Sequence, residues 1–230
     1  LLERIANEDE VLKVSRRDIP FALVSNALGA TTVSGTLVVA HAAGIKVFVT
    51  GGIGGAHRGS EKSMDISADL EELAISNVAV VSAGVKAILD LPKTLEILET
   101  KGVPVIGYRT DELPAFYTRS SGLKLVATAE TVNEIALIMK SKWDLGLAGS
   151  ILIANPIPEE FEADAKVINV AIEEALTLAN KEGISGKGIT PFILAHVSDV
   201  TGGHSLSANV ALVENNARLG AQIAFAFSKL

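Results

Sequence analysis

The chain has 230 residues, of which 48% are hydrophobic and 20% charged, with a mean hydropathy of +0.38 and a formal net charge of −7. That is enough apolar content for one ordinary core and too much for a disordered segment, and the acidic balance argues against nucleic acid, whose recognition needs a cationic surface that releases counterions. Cysteine is absent, which excludes disulfides, thiolate metal sites and cysteine nucleophiles together.

The sequence opens at Leu1, without methionine, on the charged run Glu3 to Glu10, and so reads as a piece with something belonging upstream. The greasiest stretch, Leu37 to Ile45, is interrupted by His41 and Lys46. It stays well short of the ~18 apolar residues of a membrane-spanning helix, so no membrane association is expected. Ile45 to Thr50 is a β-branched run ending in Gly51-Gly52, and Asn77 to Ser82 is another ending in Ala83-Gly84; both predict buried strands. A helix is expected from about Ile66. Ala87 to Thr100 carries Ile88, Leu91, Leu95 and Leu98 at helical spacing, stops at Lys101-Gly102, and gives way to the strand Val103 to Tyr108. Residues 129 to 144 and 159 to 182 predict helices, with the strand Gly149 to Ala154 between them and a break at Asn155-Pro156. The tail from Pro191 to Lys229 is helical in pattern around a Thr201-Gly202-Gly203 turn. Strands alternating with helices predict an α/β fold, a single domain over residues 1–230 with a mixed or parallel sheet flanked by helices in α/β/α layers.

Gly51-Gly52-Ile53-Gly54-Gly55-Ala56-His57-Arg58-Gly59 follows a strand and precedes a helix, where free backbone N–H groups could cradle phosphate. It fits neither G-x-G-x-x-G nor G-x-x-x-x-G-K, and a tight turn without a ligand explains it equally well. Asp65, Ser67, Asp69, Glu71 and Glu72 follow. Asp65 and Asp69 would share a helix face and could hold a hard cation, although an acid-rich helix start explains the same residues. Lys86, at the end of an apolar strand, is placed like an amine that forms an imine with a sugar aldehyde; most such lysines merely cover apolar surface. Lys13 and Asn209 read on their own as a surface lysine and a helix asparagine, and His41, His196 and His204 show no metal-ligand spacing.

Taken in order, Lys13-Val14-Ser15-Arg16-Arg17-Asp18, Gly29-Ala30-Thr31-Thr32-Val33, Phe48 to Gly59, Asp65 to Leu70, Ser82 to Asp90, Ala154 to Pro158, and Thr201-Gly202-Gly203 with Ala208-Asn209 resemble the pseudouridine-5'-phosphate glycosidase family, over essentially the whole chain. The resemblance implies reversible cleavage of pseudouridine 5'-phosphate to uracil and ribose 5-phosphate. Lys86 would form the imine (Schiff base), and Asp69 would hold a largely hydrated Mn²⁺ or other divalent cation. Thr50, His57, Ser67 and Thr32 would line the ribose-phosphate pocket, with Lys13 and Asn209 near the uracil. It also implies a homotrimer, and a proton-donating glutamate in an N-terminal segment upstream of Leu1; Glu3, Glu8 and Glu10 do not belong to that motif. A phosphosugar aldolase or isomerase, or a non-catalytic nucleotide-binding module, would use many of the same residues. The terminal Ser228-Lys229-Leu230 matches the peroxisomal import tripeptide, which predicts a peroxisomal address if Leu230 is the native terminus and a cytoplasmic one otherwise.

Overall fold

The computed structural model describes residues 2–8, 10–184 and 188–230. A short α1 (Leu2–Asn7) leads to β1 (Leu12–Val14), α2 (Ile19–Ser25), β2 (Gly29–Thr31) and α3 (Val33–Ala42). β3 (Val47–Val49) follows, then the short helices α4 (Ser60–Ser63) and α5 (Ala68–Leu73), β4 (Ala79–Ser82), α6 (Leu91–Thr100) and β5 (Val105–Tyr108). The chain continues through β6 (Ala127–Ala129), α7 (Val132–Asp144), β7 (Ile151–Ala154), α8 (Ala165–Lys181), α9 (Ile189–Val200) and α10 (His204–Phe227).

β3 to β7 form one sheet in the order β3-β4-β7-β5-β6, every neighbouring pair parallel. β1 and β2 form a separate parallel pair with Lys13 opposite Ala30. Because strand side chains alternate between faces, β4 sends Val80 into one core and Ala79 and Val81 into another, while β7 sends Leu152 and Ala154 one way and Ile151 and Ile153 the other. The first core includes Leu37, Leu98, Ile172 and Ile193 from α3, α6, α8 and α9, and the second Met139 and Ile223 from α7 and α10. Burial on both faces explains why these strands read as continuous apolar runs.

The expected α/β order is present, with differences that have local causes. α6 starts at Leu91 and not at Ala87, because the Asp90 side chain accepts the Lys93 N–H as an N-cap and Pro92 occupies the first turn, where its missing N–H costs nothing. Residues 159 to 182 are divided into a 3-10 turn at Glu159–Phe161 and α8, which Asp164 caps by accepting from the N–H groups of Lys166 and Val167. α5 begins at Ala68 with Ser67 as its cap, so Asp65 precedes the helix and does not share a helix face with Asp69. β1, β2, β6 and the helices α1 to α4 are additions to the elements read from sequence. Among the described residues, no helix is long and apolar enough to cross a membrane.

Candidate active site

Parallel strands deliver their carboxyl ends to one edge of the sheet, the usual place for a ligand in an open α/β fold. At the end of β3, Thr50 continues the ladder by donating its N–H to the Val81 carbonyl at 3.0 Å. At the end of β4 the chain passes Gly84, whose φ of +83° is open to glycine at little cost. Pro114 closes off any side chain there, since a Cβ would lie 2.1 Å from its carbonyl oxygen. Beyond this turn lies half-buried Lys86, whose N–H donates to the Ile53 carbonyl at 3.1 Å while Val85 bridges to Ile53. The lysine is therefore fixed by its backbone against the glycine loop.

That loop is packed, and several of its backbone donors are engaged by the protein itself. The N–H of Ile53 donates to Gly84 O, that of Gly54 to Asp69 Oδ2, that of Ala56 to Thr94 Oγ1 and that of His57 to Asp65 O. A Cβ on Gly54 would sit 2.3 Å from Ser67 Oγ and 2.6 Å from Asp69 Oδ2. Close approach of α5, and not an open phosphate cradle, is what this glycine serves; the phosphate-cradle expectation is corrected for these four N–H groups.

Asp69 is 4% exposed, and its two oxygens accept from different segments, Oδ1 from Ser34 N–H at 2.8 Å and Oδ2 from Gly54 N–H at 2.8 Å. Both donors are backbone groups near the start of α3 and in the glycine loop, so the carboxylate staples two segments to α5. Ser67 Oγ accepts from Asp69 N–H at 3.2 Å as the cap of α5, and Thr32 Oγ1 accepts from Gly35 N–H at 3.3 Å as the cap of α3. Each hydroxyl retains its own proton to donate. Asp65 is half-buried, and its carboxylate has no hydrogen-bond partner among the described residues.

His57 is held by its main chain through Asp65 and a bridge to Leu89. Arg58, next to it, pairs with Glu173 of α8. Asn209, half-buried on α10, reaches the end of β3, its Oδ1 3.4 Å from where a Cβ on Gly51 would stand. Lys13 stands exposed on β1, whose buried end Val14 is tied to the start of α3 by the Thr32 N–H donating to its carbonyl at 2.9 Å. Thr50, His57, Ser67, Asp69, Lys86 and Asn209 thus belong to one connected rim, and Lys13 and Thr32 to the β1–β2 flap stapled beside it. His41 accepts the Asn77 N–H at 2.9 Å through Nδ1, away from this rim. Among the described residues no cluster of three or more His, Asp or Glu could hold a metal ion.

Asn155 and Asn216, given no role from sequence, lie at the same edge, and Glu72, read there only as one of several acids, is engaged on α5. Asn155 directly follows β7, Asn216 lies one face-repeat beyond Asn209 on α10, and Glu72 on α5 is 1% exposed and takes Arg16 Nη1 at 2.6 Å and Ser76 Oγ at 2.6 Å. Asn155-Pro156 read as a chain break, Glu72 as part of an acid-rich helix start, and the only signal for Asn216 was a polar residue at a buried helical position.

A family model described as indigoidine synthase A like protein matches residues 1–226. The chain belongs to the indigoidine synthase A-like family. Members similar to it include proteins named pseudouridine-5'-phosphate glycosidase from Caldanaerobacter subterraneus, 60% identical over 100% of this chain and 75% of the relative. Others of that name come from Petrotoga mobilis, 56% identical over 100% of this chain and 75% of the relative, and Staphylococcus aureus, 55% identical with the same coverage. Among solved structures, the prealnumycin C-glycosynthase AlnA in complex with ribulose 5-phosphate superposes with a TM-score of 0.93 at 39% identity, covering 99% of this chain and 75% of that one. An indigoidine synthase A-like protein from Thermotoga maritima gives 0.90 at 38% identity, covering 97% and 73%. These curated relatives are bacterial, and bacteria have no peroxisomes, which argues against the peroxisomal expectation. Ser228, Lys229 and Leu230 instead close the last turn of α10, their N–H groups donating to Ala224, Ala226 and Phe227 carbonyls.

Proposed function

We propose that this chain carries the C-glycosidase activity named for its relatives, splitting pseudouridine 5'-phosphate reversibly into uracil and ribose 5-phosphate in the breakdown of pseudouridine. The observation that carries the reading is Lys86, a half-buried lysine fixed by its backbone at the carboxyl end of β4, in a chain 60% identical to a protein of that name.

A C-glycosidic bond has no leaving oxygen to protonate, so the two-carboxylate route of ordinary glycosidases does not apply. On this reading, an acid protonates the ribose ring oxygen while Lys86 Nζ bonds to C1' and the ring opens. Protonation of uracil at C5 then breaks the C1'–C5 bond, and the nitrogen lone pair forms the C1'=N bond of an imine. Water adds to the imine carbon and releases ribose 5-phosphate and the free amine. Thr32, Thr50, His57 and Ser67 would bind the ribose phosphate, their hydroxyl and ring N–H groups donating to anionic or carbonyl oxygens. Lys13 and Asn209 would face the uracil. The resemblance to the glycosidase family implies a glutamate as the acid that opens the ring.

A divalent cation such as Mn²⁺ belongs, on this reading, at the acidic turn of residues 65–69, where it would supply positive charge beside the substrate phosphate. Asp69 is the expected ligand, but each of its oxygens already accepts a backbone N–H, whereas the Asp65 carboxylate is unengaged among the described residues. We therefore assign direct or water-mediated ligation to Asp65, with Asp69 as its buttress. A homotrimer completes the reading.

The test is incubation with pseudouridine 5'-phosphate and Mn²⁺, followed by borohydride and mass spectrometry. Uracil release together with a reduced ribose-phosphate adduct on Lys86 is expected, and Lys86→Ala should lose both. Uracil without an adduct would discard the imine and keep the reaction.

A further inference from the structure

At the carboxyl end of β7 the chain leaves the sheet through Asn155, whose backbone N–H donates to Ser82 O at 2.8 Å and so ties it to the last residue of β4. Its side-chain Nδ2 donates to Asn216 Oδ1 at 2.9 Å, and Asn216 Nδ2 donates to the Thr50 backbone carbonyl at 3.0 Å. Chemistry dictates these directions. A carbonyl can only accept, so Asn216 must present its NH₂ to Thr50; it then turns its oxygen to Asn155, which must donate its own NH₂. The remaining atom, Asn155 Oδ1, is an acceptor with a fixed aim.

Asn155 is 5% exposed and Asn216 0% exposed. Oδ1 of Asn155 has no hydrogen-bond partner among the described residues, and it is not sealed in: among those residues the sealed, unpartnered side-chain nitrogen or oxygen is His196 Nε2. An oriented acceptor that keeps access to solvent can be reached by the donor of a bound molecule in place of water. Here the amide is aimed by a second amide at the sheet edge where β3, β4 and β7 end.

We propose that Asn155 is a further substrate-binding residue that accepts a hydrogen bond from a hydroxyl of the ribose phosphate, and that Asn216 is its positioning residue. This rests on the glycosidase reading. Neighbouring strands are about 4.8 Å apart, and β7 adjoins the strand that leads to Lys86. With C1' bonded to Lys86, the 2'- and 3'-hydroxyls are the donors one and two carbons away, while the uracil leaves from the other side of C1'.

The experiment measures kcat/KM for wild type, Asn155→Ala and Asn216→Ala on pseudouridine 5'-phosphate and on its 2'-deoxy and 3'-deoxy analogues, with thermal unfolding of each protein alongside. Wild type should disfavour one of the two analogues by roughly 10-fold or more, as expected when an oriented acceptor loses its donor. Asn155→Ala should lose a similar factor on the parent substrate and cease to distinguish it from that analogue, and Asn216→Ala should weaken the same discrimination. A loss of stability alone would lower all three substrates together. The proposal is overturned if Asn155→Ala keeps the wild-type discrimination, or if wild type discriminates against neither analogue. If wild type releases no uracil from the parent, the glycosidase reading fails by itself. Calorimetric binding of ribose 5-phosphate against 2-deoxyribose and 3-deoxyribose 5-phosphate to wild type and Asn155→Ala then tests the hydroxyl contact separately, equal deoxy penalties in both proteins overturning it.

Discussion

Asp69 shows how a single buried carboxylate can be structural before it is chemical. Its charge is compensated by two backbone donors at 2.8 Å, and hydrogen bonds to a charged acceptor contribute about 1.5–3 kcal/mol each. Asp69→Ala should cost about 3 kcal/mol or more, read by urea unfolding, because it leaves the Ser34 and Gly54 N–H groups without partners in an enclosed place. Asp65→Asn should leave unfolding nearly unchanged and weaken Mn²⁺ binding; the reverse pattern would restore Asp69 as the ligand. Tyr117 gives a second residue-scale prediction. Burial pushes its phenol above the usual tyrosine value, partly opposed by its hydrogen bond with Ser205. A raised folded-state value means the neutral phenol's contribution to stability is fully present below the unfolded value near pH 10 and is lost as pH rises through the folded one. Of the two tyrosines, one should therefore ionise late in an alkaline absorbance titration, and Tyr117→Phe should remove that late component.

At the scale of elements, the β1–β2 pair is joined to the main sheet's helices by few contacts, so each carries weight. Arg16 N–H donates to Ser34 Oγ at 3.2 Å, and its guanidinium pairs at 2.6 Å with Glu72, which is 1% exposed while Arg16 is half in water. Removing one partner of a pair whose other member is buried costs about 3–5 kcal/mol at full burial, and the exposure of Arg16 places this one toward the lower end. Arg16→Met should accordingly lower the unfolding midpoint and, by freeing the strand that carries Lys13, raise KM more than it lowers kcat. Glu72→Gln with Arg16→Met together should recover stability, because no unpaired charge remains buried. An unchanged KM in Arg16→Met would show that this clamp does not position the flap.

At the scale of the molecule, the two cores on opposite faces of an all-parallel sheet hold β3, β4 and β7 in register, and the connected rim of Thr50, Lys86, Asn155 and Asn216 is a product of that register. On α2, Phe21 is 74%, Leu23 76% and Val24 90% exposed, an apolar face suited to a subunit contact in the proposed homotrimer. Light scattering should give three times the 24.0 kDa chain mass, and Phe21→Asp with Val24→Asp should lower it; a monomeric wild type would refute the trimer.

What the sequence determined by itself was local in origin. Runs such as Asn77 to Ser82 and Gly149 to Ala154 are long enough, and β-branched enough, to declare strands buried on both faces, and the apolar spacing from Leu91 to Leu98 declares a helix. The blocks around Lys86 and His57 carried the family because their residues are contiguous. Three-residue strands such as β1, β2 and β6 carry too few alternations to register as a period, and α3, apolar nearly all round, has no polar face to mark it. The tertiary structure decided what contiguity cannot express: that Gly54 is small because Ser67 and Asp69 press on it, that Asp69 spends its charge on two segments, and that Asn155 and Asn216, 61 residues apart, share one hydrogen bond. Side-chain chemistry lies in the sequence, but the directions in which acceptors are satisfied or left open exist only once distant strand ends are brought to one edge.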